Sequence, residues 1–138
     1  MQRFAIFLCA FVLAASAAHA DDSLFQDMGG EAGMHKIVDV SMANYLADKR
    51  INAQFDDVDI DWLKGQLYVQ FCQLAGGPCV YKGHDMRVVH QGMHLTDADF
   101  NALVEDLQKS MDICGVPFRT QNRFLAILAP MESQVVTK

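Results

Sequence analysis

The chain has 138 residues, 51% of them hydrophobic, and a net charge of −6 at pH 7. That length suits one folded domain, and an acidic balance with no basic patch excludes nucleic acid and anionic membrane as partners. No apolar run is long enough to span a bilayer, and no repeat or low-complexity segment is present.

Residues 1–20 read as a cleavable signal peptide. Arg3 supplies a positive start, Phe4 to Ala18 is apolar, and Ala18-His19-Ala20 forms an A-x-A cleavage site. The expectation is export to the periplasm or beyond, with the folded domain over 21–138. Cys9 leaves with that segment, so Cys72, Cys79 and Cys114 remain. Gly76-Gly77-Pro78 can fold the chain back after Cys72, which predicts a Cys72–Cys79 disulfide of the kind that persists outside the cytosol. The alternative is three buried thiols acting as small hydrophobes.

Helical spacing follows from Gly30 onward. Met34, Ile37, Val38, Ser41, Met42, Tyr45 and Leu46 fall on one face of a first long helix, closed by Asp48-Lys49-Arg50. Asp57, Asp59 and Asp61 resemble a calcium loop, but Trp62 and Tyr68 stand where its glycine and glutamate belong. Asp59 or Asp61 is better read as the cap of a second helix, whose stripe is Ile60, Leu63, Leu67, Phe71 and Leu74, with Gln66 beside it. A short helix follows from Met86, placing Val89, His90 and Met93 inward. Thr96 and Asp99 form a capping-box pattern for a helix bearing Phe100, Leu103, Val104, Leu107 and Met111. Gly115 ends it. Pro117 suits the first turn of a last helix with Phe124, Leu125, Leu128, Met131 and Val135, kinked at Pro130. No strand alternation occurs, so the fold class is all-α.

His90 is the odd member of these stripes. A buried imidazole needs partners for two ring nitrogens, so it is either a core histidine bonded to backbone or a ligand to a metal inside the fold. His90 and His94 lie at i, i+4, yet no cysteine or carboxylate completes a zinc set. Copper suits an exported chain with eight methionines, although those methionines also serve as ordinary core filler. An inward histidine facing Leu63, Leu67 and Phe71 makes an apolar slot with one ligand for haem iron.

An ordered set of short pieces carries a resemblance over Phe25 to Val136. They are Gly29-Gly30, Leu46-Ala47-Asp48, Phe55, Leu63-Lys64-Gly65, Gly76-Gly77-Pro78, Tyr81-x-Gly83, Met86-x-x-x-His90-x-Gly92, Thr96, Gly115-Val116-Pro117 and Ala129-Pro130. At these spacings the chain resembles a group I truncated haemoglobin. The resemblance implies a two-over-two helical sandwich and haem b held by His90 as proximal ligand. It implies Phe55 packed on the porphyrin, with Leu63, Leu67, Phe71, Met86, Phe100 and Leu128 as wall. Tyr81, His84 and Arg87 are the candidates for the propionate edge.

One departure stands out. Where such globins usually carry a distal tyrosine and glutamine, this chain reads Met42, Leu63 and Leu67, which predicts an apolar distal face. The resemblance thus implies reversible binding of a diatomic gas (oxygen, nitric oxide or carbon monoxide). A second reading makes Met42 a sixth iron ligand in a His/Met redox protein passing electrons to a partner. A dioxygenase-type side activity would need a reductase, and a peroxidase-like one is also allowed.

Overall fold

A computed structural model describes residues 22–138. The expected signal peptide lies outside the described residues. Seven α-helices follow in order: α1 (Asp22–Asp27), α2 (Gly30–Ala47), α3 (Ile60–Leu74), α4 (Met86–Val89), α5 (Asp97–Ile113), α6 (Phe118–Leu128) and α7 (Glu132–Val135). Short 3₁₀ turns occupy Asn52–Phe55 and Ala129–Met131. No strand occurs among the described residues, and none of their helices is long and apolar enough to cross a membrane.

Local chemistry sets the boundaries. Asp59 accepts the Trp62 N–H at 3.0 Å and starts α3. At α5 the Thr96 hydroxyl accepts the Asp99 N–H at 3.3 Å, while the Asp99 carboxylate accepts the Thr96 N–H at 2.9 Å. The hydroxyl's bond to Asp99 holds that carboxyl below the usual carboxylate range. Gly115, at φ +75°, closes α5: its N–H bonds the Asp112 carbonyl and the next N–H bonds Met111, both at 3.0 Å. Pro117 sits just before α6 with extended ψ, one position earlier than the spacing suggests. Pro130 does not end the last helical run; it tightens it to 3₁₀ before α7.

The helices pack as two pairs, α2 with α3 and α5 with α6, with α2 also lying along α5. The main core joins Met34, Ile37 and Val38 of α2 to Phe71, Leu107, Met111 and Phe124. Phe71 meets Phe124 edge-on at 5.2 Å between ring centres. The unforeseen α1 adds Leu24 and Phe25 to this core, and its Phe25 N–H bonds the Ala75 carbonyl at 3.0 Å.

Cys72 and Cys79 are disulfide-bonded, with Cα atoms 5.7 Å apart, and Cys114 is free. The two glycines between them have different reasons. Gly76 takes φ +78°, which turns the chain. Gly77 leaves no room for a side chain, since a Cβ would lie 2.8 Å from the Cys72 sulfur and 2.7 Å from the Phe25 ring.

After α4 the chain runs without helix to Thr96. This stretch is fastened from the other end of the domain. The Thr137 and Lys138 N–H groups donate to the Leu95 carbonyl at 3.0 and 3.1 Å, and the Leu95 N–H donates to Thr137 Oγ1 at 3.0 Å.

Candidate functional site

Between α3, α4 and α5 the fold leaves a crevice of about 180 Å³ that opens to solvent. From α3 come Leu63, Leu67, Gln70 and Phe71, at i, i+4, i+7 and i+8 of one helix face. From α4 and the chain after it come Met86, His90, Met93 and Leu95. Phe100, Leu103, Val104 and Leu107 of α5 form the floor, with Leu128, Met131 and Val135 closing one end and Tyr45, Ile51, Gln54 and Phe55 the other.

His90 is the one imidazole on this wall. It caps the C-terminus of α4 and is half-buried. Its Nδ1 lies 2.8 Å from the Met86 carbonyl oxygen. A carbonyl only accepts, so Nδ1 carries the proton and donates. Nε2 is then the unprotonated nitrogen, with its lone pair available, and it has no partner among the described residues. This is the donor arrangement that a metal-ligating histidine requires. One turn earlier, the Met86 sulfur accepts the Gln70 amide at 3.1 Å, which links α3 to the turn that orients His90. A single nitrogen ligand in a mostly apolar crevice fits haem iron. It does not fit zinc, and the described residues hold no group of three His, Cys, Asp or Glu side chains able to take a metal ion.

The expected wall residues Phe55, Leu63, Leu67, Phe71, Met86, Phe100 and Leu128 all line this crevice with His90. Four others do not, among them His84, which is exposed on the loop before α4. Met42, considered as a sixth ligand, is 2% exposed and packed in a secondary core cluster with Tyr45, Ile51 and Ala102, behind Leu63 and Leu67. Met42 and Tyr45 are both inward at i, i+3; the rotation of α2 brings Tyr45 to the wall, where it stacks on Phe55 at 5.9 Å. Tyr81, expected at the propionate edge, turns back into its own loop and donates to the His84 carbonyl at 3.2 Å. Arg87 is exposed on α4 and lines no part of the crevice.

The wall is also less uniformly apolar than expected, because Tyr45, Gln54, Gln70 and Asp99 contribute to it. Gln70, not Gln66, is the α3 amide on the wall. Its position seven residues after Leu63 was the available signal. Met93 lines the wall as its spacing from Met86 predicts, whereas Leu95 lies in the irregular stretch after α4, where no period marks it.

A helical sandwich that leaves a greasy slot with one free imidazole nitrogen defines a globin-type haem pocket. Comparison with known proteins agrees. The family model for bacterial-like globins matches residues 23–137. The chain is 33% identical over 94 residues to the group 1 truncated hemoglobin of Tetrahymena thermophila, covering 68% of this chain and 78% of that one. It is 29% identical over 115 residues to the group 1 truncated hemoglobin GlbN of Mycolicibacterium paratuberculosis, covering 83% and 85%. The solved Fe(III) truncated hemoglobin of Tetrahymena pyriformis superposes with a TM-score of 0.81 at 29% identity, covering 83% of this chain and 98% of that one. The chain belongs to the bacterial-like globin family, and its fold is the two-over-two sandwich of truncated haemoglobins.

Proposed function

We propose that this globin carries haem b in the crevice on His90 Nε2 and reversibly binds diatomic gases. The observation that carries the reading is the His90 Nδ1 bond to the Met86 carbonyl, which leaves the Nε2 lone pair of a crevice-lining histidine free to bind iron. Haem, when bound, supplies an iron that takes oxygen, nitric oxide or carbon monoxide as a reversible ligand. The chain's part is to orient one imidazole and to line the slot with hydrocarbon that keeps water out.

The polar groups of the wall bear on which gas is favoured. Leu63 and Leu67 offer no hydrogen-bond donor. A gas that gains negative charge on binding forgoes a hydrogen bond of about 1–3 kcal/mol there. That is up to roughly a hundredfold in release rate, so oxygen is held more weakly than carbon monoxide or nitric oxide. Electron transfer through Met42 loses its support, because that side chain is packed behind the wall.

We also propose export. Residues 1–20 have the pattern of a cleaved signal, and the Cys72–Cys79 disulfide supports an oxidising compartment.

The test is spectroscopic. Purified protein given hemin should develop a Soret band that shifts with carbon monoxide after reduction. His90→Gly should lose that band and regain it with added imidazole. No Soret band in the wild type overturns the haem reading, and normal ligation in His90→Gly overturns the role of His90.

A further inference from the structure

The seam between α2 and α5 contains a polar chamber that the gas site does not use. Ser41 is fully buried, and Tyr45 and Asp106 are 1% and 7% exposed. The Ser41 hydroxyl, the Tyr45 hydroxyl and Asp106 Oδ2 each lack a hydrogen-bond partner of good geometry among the described residues. The three groups are neighbours. The Ser41 hydroxyl lies beside that of Tyr45, and the Asp106 carboxyl acts on the same phenol. On one side the chamber is closed by Asn44, whose amide donates to Ser110 Oγ at 2.8 Å, and by Ser110, which donates to the Asp106 carbonyl at 2.6 Å. On the other side Arg50 grips Asp48 at 2.7 Å and Glu105 at 2.6 Å.

Buried polar atoms are almost always paired, and one internal water commonly satisfies about three of them. We propose that the chamber holds one ordered water bonded to Ser41, Tyr45 and Asp106, and that the charge on Asp106 sets, through this water, how Tyr45 sits at the crevice wall. Its effect on gas binding rests on the haem reading above. Asp106 is then a positioning residue, acting through a ring that lines the crevice and stacks on Phe55.

The charges around the chamber assign the proton. Burial and Asp48 raise the Asp106 carboxyl above its ordinary range, against the opposing pull of Arg50 and Lys109. Arg50 holds Asp48 low, so Asp106 takes the proton first as pH falls. Protonated, Asp106 donates to the water; ionised, it accepts from it. Burial keeps the Tyr45 phenol protonated well above neutral pH, so its hydroxyl remains a donor while Asp106 reverses direction.

Two measurements decide this. A high-resolution crystal structure of the haem-loaded protein should show a water within hydrogen-bond distance of all three atoms. Carbon monoxide rebinding after flash photolysis should change about threefold in rate from about pH 4 to about pH 8 in the wild type. Asp106→Asn and Tyr45→Phe should each flatten that profile, and Tyr45→Phe, which keeps the ring, carries the test if Asp106→Asn fails to fold. A dry chamber overturns the proposal, as does a pH profile that survives either variant or is missing from the wild type. If no Soret band forms, the haem reading fails by itself. The crystallographic water and a carbon-NMR titration of Asp106 then still decide the chamber: a water bonded to all three atoms and an Asp106 carboxyl titrating above its ordinary range uphold it, and a dry chamber or an unshifted carboxyl overturns it.

Discussion

Replacing Cys72 and Cys79 together by alanine removes a clasp between the end of α3 and the loop that leads to α4. The bonded cysteines are separated by 7 positions in sequence. Closing so short a ring removes about 2.4 kcal/mol of chain entropy from the unfolded state, toward the low end of what disulfides contribute. At roughly 4 °C per kcal/mol for a domain of this size, the double variant should melt about 10 °C lower. Alanine is the better choice than serine because Cys72 is fully buried and a hydroxyl there would be unpaired. Thermal unfolding by circular dichroism measures the shift, at equal haem load, since a ligand specific to the folded state raises the midpoint by itself. The neighbouring Phe71 lines the crevice, so haem transfer to an acceptor globin should also be faster in the variant. A shift below about 3 °C would refute the entropic reasoning. It would mean that the bonds from Gly77 N–H to the Cys72 carbonyl and from Tyr81 N–H to the Gln73 side chain already hold the turn without the sulfur link.

Phe124→Ala should cost about 3–5 kcal/mol in urea unfolding, because the ring is fully buried and loses its edge contact with Phe71. Thr96→Ala removes the α5 cap and should cost about 1 kcal/mol. That loss should depend on pH. Asp99 is held low chiefly by Thr96, so its contribution is present above its unfolded pKa and fades as pH falls through the folded one. The gap between wild type and Thr96→Ala should therefore narrow in acid. Asp106→Asn should do the reverse of an ordinary carboxylate loss. The raised Asp106 carboxyl is a stabilising influence only while protonated, so the variant should gain in melting temperature as pH rises from acid to neutral. Lys64→Ala breaks the 2.6 Å pair with Asp39 on a solvated face and should change stability by less than about 1 kcal/mol.

Much of the architecture was legible because its signals are local. Asp59, the Thr96–Asp99 pair and Gly115 each mark a helix end through bonds to backbone a few residues away. The wall set of Leu63, Leu67 and Phe71 shows in helical spacing, and His90 shows as the polar exception in an apolar row. What stayed hidden depends on rotation and on distant chain. Met42 and Tyr45 are equally inward by spacing, and only the packing of α2 on α5 and α3 decides which of them reaches the crevice. α1 is 6 residues long, too short to show a period, although Leu24 and Phe25 are core residues. Asp106 reads as a solvated residue in a helix with charge all along it, and its burial follows from the α2–α5 seam alone.

The stretch between His90 and Thr96 has no helix of its own, and its Leu95 is fastened by Thr137 and Lys138. Anyone joining a purification tag or a fluorescent reporter directly to Lys138 would thus be tugging on the wall beside the imidazole. Trimming the last two residues to aid crystallisation would cut all three of those stitches. A flexible spacer after Lys138 leaves that hem intact.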